Sequence, residues 1–362
     1  MEKSGQIISQ LLNHYFWADN NPLDRAKIEA LSPSEWEDIH KLALRQGVSA
    51  ILLDAIVDAK IALPFTVKMH FITSTDKIEK RYEDKINAIT KLENIYSQNG
   101  IKLMILKGVG LARLYPAPHH RPCSDVDIWL FGKQEEADKI LQKQYNIAIH
   151  EGHHHHTVFY IDGVMIENHY DFIEQHSRRS KRIIEQYLKE LAESEVPIQT
   201  QIEGIPLYVP APNLNALFMI MHSGAHFAAE NIPVRHLTDW AMFLKHYSDQ
   251  IDWQRLVEVG DKFGFTPFLK TLNAMCCSYL GMPKELAHGV IADSKITARA
   301  IDDVLEYRRV YIPKNFVKGW IFRIKRRFAN SWKQKMVYND SQFTAFFLSF
   351  LTHIIHPNMW KR

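Results

Sequence analysis

The sequence has few cysteines, no long hydrophobic run and little net charge. Its 362 residues include only Cys123, Cys276 and Cys277, whose spacing fits neither a zinc site nor a disulfide framework. Such sparse cysteine is typical of a protein in a reducing compartment. The N-terminus lacks the apolar stretch and cleavage site of a secretory signal, and no segment approaches the roughly 20 apolar residues of a membrane-spanning helix. We therefore expect a cytoplasmic protein with no transmembrane segment.

The charge balance gives no argument for nucleic-acid binding, because the formal net charge is only +3 at pH 7. Hydrophobic residues make up 46% and charged residues 23% of the chain, fractions that indicate an ordinary globular protein. There is no internal repeat, and the only low-complexity segment is the run of four histidines at 153–156. The length predicts two or three domains, or one domain with long helical additions.

Hydrophobic periodicity divides the chain into three regions: 1–99, 100–209 and 210–362. The first is predicted to be helical, with a capping box at Ser32-Pro33-Ser34-Glu35 and a long helix that stops at Asn99-Gly100. In the second, strands alternate with helices, and Asp162-Gly163 marks a hairpin turn. The third is again helical. The prediction is an α+β fold in which a small mixed sheet is flanked by N-terminal and C-terminal helical regions.

Two carboxylates alternate with apolar residues in Asp125-Val126-Asp127-Ile128. On a strand alternate side chains share a face, so both acids would point the same way. Like charges side by side repel each other, and a hard divalent cation with oxygen ligands is a suitable partner for them. Upstream, the apolar run 101–106 ends in Lys107-Gly108 at the predicted start of a helix, where free N–H groups favour an anion. Metal and phosphate are therefore expected at the same place.

These residues resemble the motifs of the polymerase-beta-like nucleotidyltransferase superfamily. The likeness is greatest to a branch of uncharacterised bacterial nucleotidyltransferases, whose motif is matched here by Leu106-Lys107-Gly108, Tyr115-Pro116, Arg121 and Asp125-Val126-Asp127. The resemblance implies a nucleotidyltransferase core and metal-dependent transfer of a nucleoside monophosphate from an NTP, with ATP as the donor by default. It leaves the acceptor open among a small molecule, a protein and an RNA.

The resemblance also implies a set of metal-binding carboxylates. In this superfamily a third carboxylate comes from a neighbouring strand, and Glu167, two residues before His169, holds that place here. Asp125, Asp127 and Glu167 would then bind Mg²⁺ or Mn²⁺ for two-metal catalysis. Alternatively, Glu167 would accept the proton of the acceptor group.

Phosphate binding is expected of Lys107, Gly108 and Arg121. The wider superfamily has Gly-Ser where this chain has Lys107-Gly108, so the ammonium would replace a hydroxyl as the phosphate contact. Alternatively, Lys107 pairs with Asp125 or Asp127 in a metal-free, non-catalytic protein that binds a nucleotide or a partner. Arg121 would either clamp phosphate or an acceptor carboxylate, or hold the loop in front of Asp125.

Histidines near these acids suggest a further alternative. In the run 153–156, His154 and His156 would share one face of a strand. His156 and His169 are the candidates to reach the site as accessory residues. A His-rich hairpin that includes Glu167 would suit a metal-dependent hydrolase.

Other candidate groups lie in the C-terminal region. His222 and His226 have the four-residue spacing of helical metal sites, but we predict core or capping roles for them. Arg235 and Asp239, at the same spacing, are predicted to form a structural pair. The segment 314–335 contains eight Lys or Arg residues and no acid, interleaved with aromatic residues. We predict a helix packed on the body with a solvated basic face, or alternatively a peripheral contact to an anionic membrane or RNA.

Overall fold

Helices precede and follow a mixed sheet in the part of the chain that the computed structural model describes, which is residues 2–17, 23–151, 155–175, 179–307 and 316–339. The histidines at 153 and 154 lie outside the described residues, as do 314 and 315 of the basic segment.

The N-terminal region is helical, as predicted. Its helices are α1 (Lys3–Phe16), α2 (Arg25–Glu29), α3 (Pro33–Arg45), α4 (Ser49–Asp58) and α5 (Phe65–Gln98). The predicted capping box opens α3: the Glu35 N–H donates to Ser32 Oγ at 3.3 Å, and the Ser32 N–H donates to the Glu35 carboxylate at 2.8 Å. These bonds satisfy amides that the first turn would leave unpaired.

The described sheet has seven strands in the order β3-β4-β5-β2-β1-β7-β6. They are β1 (Met104–Ile105), β2 (Val126–Trp129), β3 (His150–Glu151), β4 (His156–Ile161), β5 (Val164–His169), β6 (Ile198–Ile202) and β7 (Ile205–Val209). The helices between them are α6 (Val109–Ala112), α7 (Gln134–Tyr145) and α8 (Arg179–Ser194). β2 is parallel to β5 and β1 to β7, and the other neighbours are antiparallel. The predicted α+β fold with a mixed sheet is confirmed.

The β4–β5 hairpin turns at Asp162-Gly163, as predicted. Ile161 pairs with Val164, and the two turn residues have φ values of +49° and +80°. Positive φ at both central residues suits the right-handed twist of the flanking strands. Two other strands are shorter than the sequence predicts. The apolar run 101–106 predicts a strand of which β1 covers only 104–105, and the strand predicted over 125–131 is β2, which covers 126–129.

The C-terminal region is helical in its described parts. Its helices are α9 (Pro212–Ala229), α10 (Val234–Tyr247), α11 (Trp253–Phe263), α12 (Thr266–Leu280), α13 (Ser294–Leu305), α14 (Phe316–Ala329) and α15 (Ser331–Val337). Among the described residues no helix has both the length and the apolar character needed to cross a membrane.

Apolar side chains pack on both faces of the sheet. Ile105 and Ile128 belong to a cluster with residues of α5 and α7. Their neighbours Met104 and Trp129 belong to a second cluster, because successive side chains of a strand alternate. The second cluster joins the N-terminal helices to the C-terminal helices. Asp127, two residues before Trp129, therefore projects from the sheet face that these helices cover.

The expected boundaries at 99/100 and 209/210 fall between α5 and β1 and between β7 and α9. The helical regions outside these boundaries share one hydrophobic cluster, although the sheet separates them in sequence. The division of the chain into domains stays a prediction.

The described part of the basic segment packs against the protein body. Arg326 donates to the carbonyl oxygens of Ala229 and Glu230, at 3.1 and 3.0 Å, where α9 ends. Lys333 is buried and pairs with Asp303 at 2.9 Å. These two cations contact the fold itself, and a contact of the segment with a membrane or RNA stays a prediction.

Candidate active site

Asp127 and Glu167 lie side by side in the sheet. β2 and β5 pair in parallel with Asp127 opposite Glu167. Paired residues of parallel strands project from the same face, so the register brings the two carboxylates together. The Asp127 side chain is fully buried, and that of Glu167 is 17% exposed.

The polar contacts described for the Asp127 carboxylate are made by one of its oxygens, Oδ1. Lys107 Nζ lies 3.0 Å and His169 Nε2 lies 2.9 Å from Oδ1. Burial opposes ionisation, but Lys107 and His169 outweigh it and hold the pKa of Asp127 well below its usual range. The other oxygen, Oδ2, is buried and has no hydrogen-bond partner among the described residues. A buried carboxylate oxygen without a donor is costly, and a cation bound to Oδ2 would remove that cost.

Two histidines adjoin Glu167. His156 pairs with His169 across the hairpin, and their Nε2 atoms lie 3.8 and 3.7 Å from the Glu167 carboxylate. Burial lowers the pKa of His169, but the hydrogen bond to Asp127 and the nearby Glu167 carboxylate raise it overall to about 9. An imidazolium donates from both nitrogens, which fits the 3.1 Å contact of His169 Nδ1 with the Asp171 carbonyl oxygen.

Potential metal ligands form two overlapping groups here. Asp127, Glu167 and His169 form one group, and His155, His156 and His169 form the other, with the ligand atoms of each group within 4.8 Å of one another. The first offers carboxylate oxygens and suits a hard divalent cation, and the second suits a softer ion such as zinc. The free Oδ2 of Asp127 supports the first group as a metal site.

Asp125 lies at the edge of this arrangement. It precedes β2, is half-buried, and accepts a hydrogen bond from Ser124 Oγ at 2.7 Å. Gly108 lies close by, because a Cβ at this position would be 3.4 Å from the Asp125 carbonyl oxygen. Gly108 has φ +61° and caps α6, which has only four residues. The amides of 110, 111 and 112 donate back to Lys107 and Gly108, which leaves at most the first amides of this turn for an anion.

Two neighbouring side chains, His120 and Arg121, attach the loop before Asp125 to the helices. His120 lies 2.7 Å from Asp54 and 2.8 Å from Glu79, which connects the loop to α4 and α5. Arg121 is buried and donates to both oxygens of Asp239 on α10, at 3.0 and 2.7 Å. This geometry fits the alternative in which Arg121 holds the loop in front of Asp125. The prediction that Arg235 pairs with Asp239 is wrong, because Arg121 occupies both carboxylate oxygens while Arg235 donates to the Pro122 carbonyl oxygen at 3.1 Å.

A cleft of about 270 Å³ opens beside these residues. The sheet side contributes Lys107, Gly108, Arg121, Ser124 and Asp125, and the helical side contributes His222, His226, Arg235 and His236 from α9 and α10. Both histidines thus lie on the cleft, and the core or capping roles predicted for them stay a prediction. The four-residue spacing correctly placed both on one helix face, but α9 is apolar nearly all round, so its sequence could not show which face meets the cleft.

A wider depression of about 730 Å³ lies along α7 and contains none of the predicted site residues. The cleft beside Lys107 is therefore the better candidate for substrate binding, since it combines several cations with an adjoining pair of carboxylates.

A mixed sheet with carboxylates in register on neighbouring central strands, beside a cation-lined cleft, fits the nucleotidyltransferase class. The chain belongs to the family described as uncharacterised nucleotidyltransferase, whose model matches residues 32–281. No curated protein and no solved structure matches it. Membership supports nucleotidyl transfer as the general activity, with an NTP as substrate. Nucleotidyltransferases generally use divalent metals, and the acidic and histidine groups described above are candidates to bind them.

Proposed function

We propose that the protein transfers a nucleoside monophosphate from an NTP, with ATP as the default donor, to an acceptor in the cytoplasm. The observation that carries this proposal is the register of Asp127 with Glu167 beside a cleft lined by Lys107. The acceptor is a small molecule, a protein side chain or an RNA end.

Asp127, Glu167 and Asp125 are the proposed ligands for Mg²⁺ or Mn²⁺. The unpartnered Oδ2 of Asp127 supports this assignment, as does the carboxylate of Glu167 beside it. When bound, the ions supply positive charge that neutralises the triphosphate and the leaving pyrophosphate.

The remaining groups bind phosphate and move a proton. Lys107 lines the cleft while touching Asp127, so its ammonium can meet the phosphates close to the carboxylates. Glu167 is partly exposed and is the proposed acceptor of the proton from the attacking hydroxyl. His156 and His169 orient its carboxylate. Arg121 keeps Asp125 in place through its buried contact with Asp239.

The contact between Lys107 and Asp127 favours a second candidate, a non-catalytic protein that binds a nucleotide or a partner. At 3.0 Å the ammonium already neutralises much of the Asp127 charge, which weakens the attraction for a cation. The group formed by His155, His156 and His169 favours a third candidate, a metal-dependent hydrolase.

A thermal-shift experiment with each NTP, with and without Mg²⁺, tests the proposal without knowledge of the acceptor. At about a hundred times its Kd a ligand stabilises the fold by about 2.7 kcal/mol, which is readily measured. We expect a Mg²⁺-dependent shift that is lost in Asp125→Asn/Asp127→Asn. Asp162→Asn, in the exposed hairpin turn, is the matched control and should keep the shift.

Other results of these measurements would support the non-catalytic candidate or the hydrolase. A nucleotide shift that needs no metal and survives in the double variant contradicts the metal assignment and supports the non-catalytic candidate. Stoichiometric zinc that persists after loss of Asp125 supports the hydrolase. With an acceptor in hand, Asp127→Asn should abolish transfer, because it removes a metal-binding charge and keeps the side-chain shape.

A further inference from the structure

Four basic side chains from two helices line the cleft opposite Lys107, together with Phe218, Met219 and the acid Glu230. His222 and His226 lie on α9, and Arg235 and His236 lie in the first turn of α10. These four residues are called the helical wall below. None of them belongs to the carboxylate group around Asp127.

Arg235 forms no ion pair with a described carboxylate, although Asp239 is near enough to favour its charge. Its Nη1 donates to the Pro122 carbonyl oxygen, while its buried Nε has no hydrogen-bond partner among the described residues. The nearest acid along α10, Asp239, is already occupied by both donors of Arg121 and by the Tyr115 hydroxyl. Burial and the nearby Arg121 lower the pKa of Arg235, which reflects the cost of this arrangement.

The three histidines add hydrogen-bond donors to the wall without adding positive charge next to Arg235. The rings of His222 and His236 stack with centroids 5.8 Å apart, and the ring of His226 lies 4.7 Å from that of His222. Burial lowers the pKa of each, so at neutral pH the imidazoles are uncharged and each has one N–H to donate. His236 Nδ1 is in contact with Ser223 Oγ at 3.0 Å, which fixes that ring.

Backbone amides cannot replace these side chains as anion donors. In the first turn of α10, the N–H groups of Val234 and Arg235 already donate to the side-chain and backbone oxygens of Gln46. An anion at this wall would therefore depend on Arg235 and the imidazoles. A phosphate group matches them, because its oxygens accept several hydrogen bonds and its charge balances an unpaired guanidinium.

We propose that the helical wall binds a phosphate group of one of the reactants, opposite Lys107. The inference rests on the proposed function and extends it by assigning a second phosphate contact to α9 and α10. The phosphate belongs either to the NTP or to a phosphorylated acceptor, since both present the same oxygens to the wall.

Isothermal titration with inorganic triphosphate in the presence of EDTA tests the wall without any metal. The wild-type protein should bind, and Arg235→Gln should weaken binding by roughly tenfold or more, because charge-assisted hydrogen bonds are lost. Arg255→Gln makes the same chemical change at an exposed position on α11 and should leave the affinity unchanged. Equal affinity of the wild type and Arg235→Gln would overturn the inference.

His226→Gln provides an independent variant, because this residue lies in the last turn of α9 on the cleft and is outside the buried hydrophobic cluster. It should weaken triphosphate binding several-fold even if Arg235→Gln does not fold, and unchanged binding would count against the wall. Asp125→Asn/Asp127→Asn should still bind triphosphate in EDTA. Because this binding needs no metal, it tests the helical wall even if the proposed metal-dependent transfer is wrong.

Titration with the NTP in Mg²⁺ then identifies the source of the phosphate. An affinity for the NTP that falls tenfold in Arg235→Gln assigns the wall to the donor. An unchanged NTP affinity, together with loss of triphosphate binding in EDTA, assigns the wall to a phosphorylated acceptor. An unchanged affinity in both titrations rejects the wall as a phosphate site.

Discussion

The role of Arg121 depends on a residue far away in the sequence. Its guanidinium lies on Asp239, and the same carboxylate accepts a hydrogen bond from the Tyr115 hydroxyl at 2.7 Å. Tyr115 also contacts Thr238 Oγ1 at 2.9 Å. The motif residues Tyr115 and Arg121 therefore meet on one carboxylate of α10, and their shared contact fixes the loop that leads to Asp125.

Arg121→Gln is expected to destabilise the protein by about 3–5 kcal/mol, because it leaves Asp239 buried without a cation. Urea unfolding followed by circular dichroism would measure the loss. The double variant Arg121→Gln/Asp239→Asn should be less unstable than the sum of the two single variants, since no charge is left unpaired. A loss below about 1 kcal/mol for Arg121→Gln would contradict a structural role.

Asp127 and Glu167 could be proposed from the sequence because of the family resemblance and the alternation of side chains on a strand. The partners of Asp127 could not be chosen in the same way. The sequence leaves Lys107 compatible with phosphate or with an aspartate, and the packing of β1 beside β2 brings it to Oδ1. Helical spacing predicts a pair between Arg235 and Asp239, whereas the partner of Asp239 is Arg121, from a loop 118 residues earlier.

Among the elements, the short turn at Gly108 depends most on one residue type. The φ of +61° and ψ of −114° at Gly108 are strained for any residue with a Cβ. Gly108→Ala should therefore cost about 1–3 kcal/mol in unfolding free energy. Gly100→Ala is a comparison for the effect of positive φ alone, because φ is +68° there and a Cβ would meet no atom within 4 Å, so it should also be destabilising. A Gly108→Ala variant as stable as the wild type would show that the turn adapts.

Elements with strong local signals were predictable, and those without them were not. The α3 cap and the Asp162-Gly163 turn follow from hydrogen bonds and φ preferences within a few residues. β3 and β6 were missed because both lie at the edges of the sheet, where one is two residues long and the other, IQTQI, is largely polar. At such edges pairing with a distant strand decides the conformation.

At the scale of the whole molecule, one buried acid makes stability depend on pH. Glu185 on α8 accepts hydrogen bonds from the N–H groups of Phe172 and Ile173, each at 2.9 Å, where the chain leaves the sheet. Burial raises its pKa to about 7 in spite of these bonds. The folded protein therefore holds this proton more tightly than the unfolded chain does.

The sign of the effect follows from that difference. Between the unfolded pKa near 4.5 and the folded pKa near 7, the native state binds more protons, so stability should fall as pH rises. The contribution of Glu185 to this fall is about 3 kcal/mol. Urea unfolding at pH 5 and pH 8 should show a smaller difference for Glu185→Gln than for the wild type. Glu190→Gln, exposed on the same helix, should behave like the wild type, and identical pH profiles for all three proteins would rule out this role.

The cluster shared by the N-terminal and C-terminal helices also has a consequence for synthesis. α1 packs against α12, and its residues Ile7, Ile8, Leu11 and Leu12 are fully buried in the finished protein. α12 is translated about 250 residues after α1, which at ribosomal speed is a delay of roughly 10 to 50 s. α3 and α4 also pack against α1 and follow it closely in the chain, so during that time only the part of its apolar face that meets α12 stays uncovered. Yield in the cell should therefore depend on chaperones that cover the nascent chain until α12 emerges.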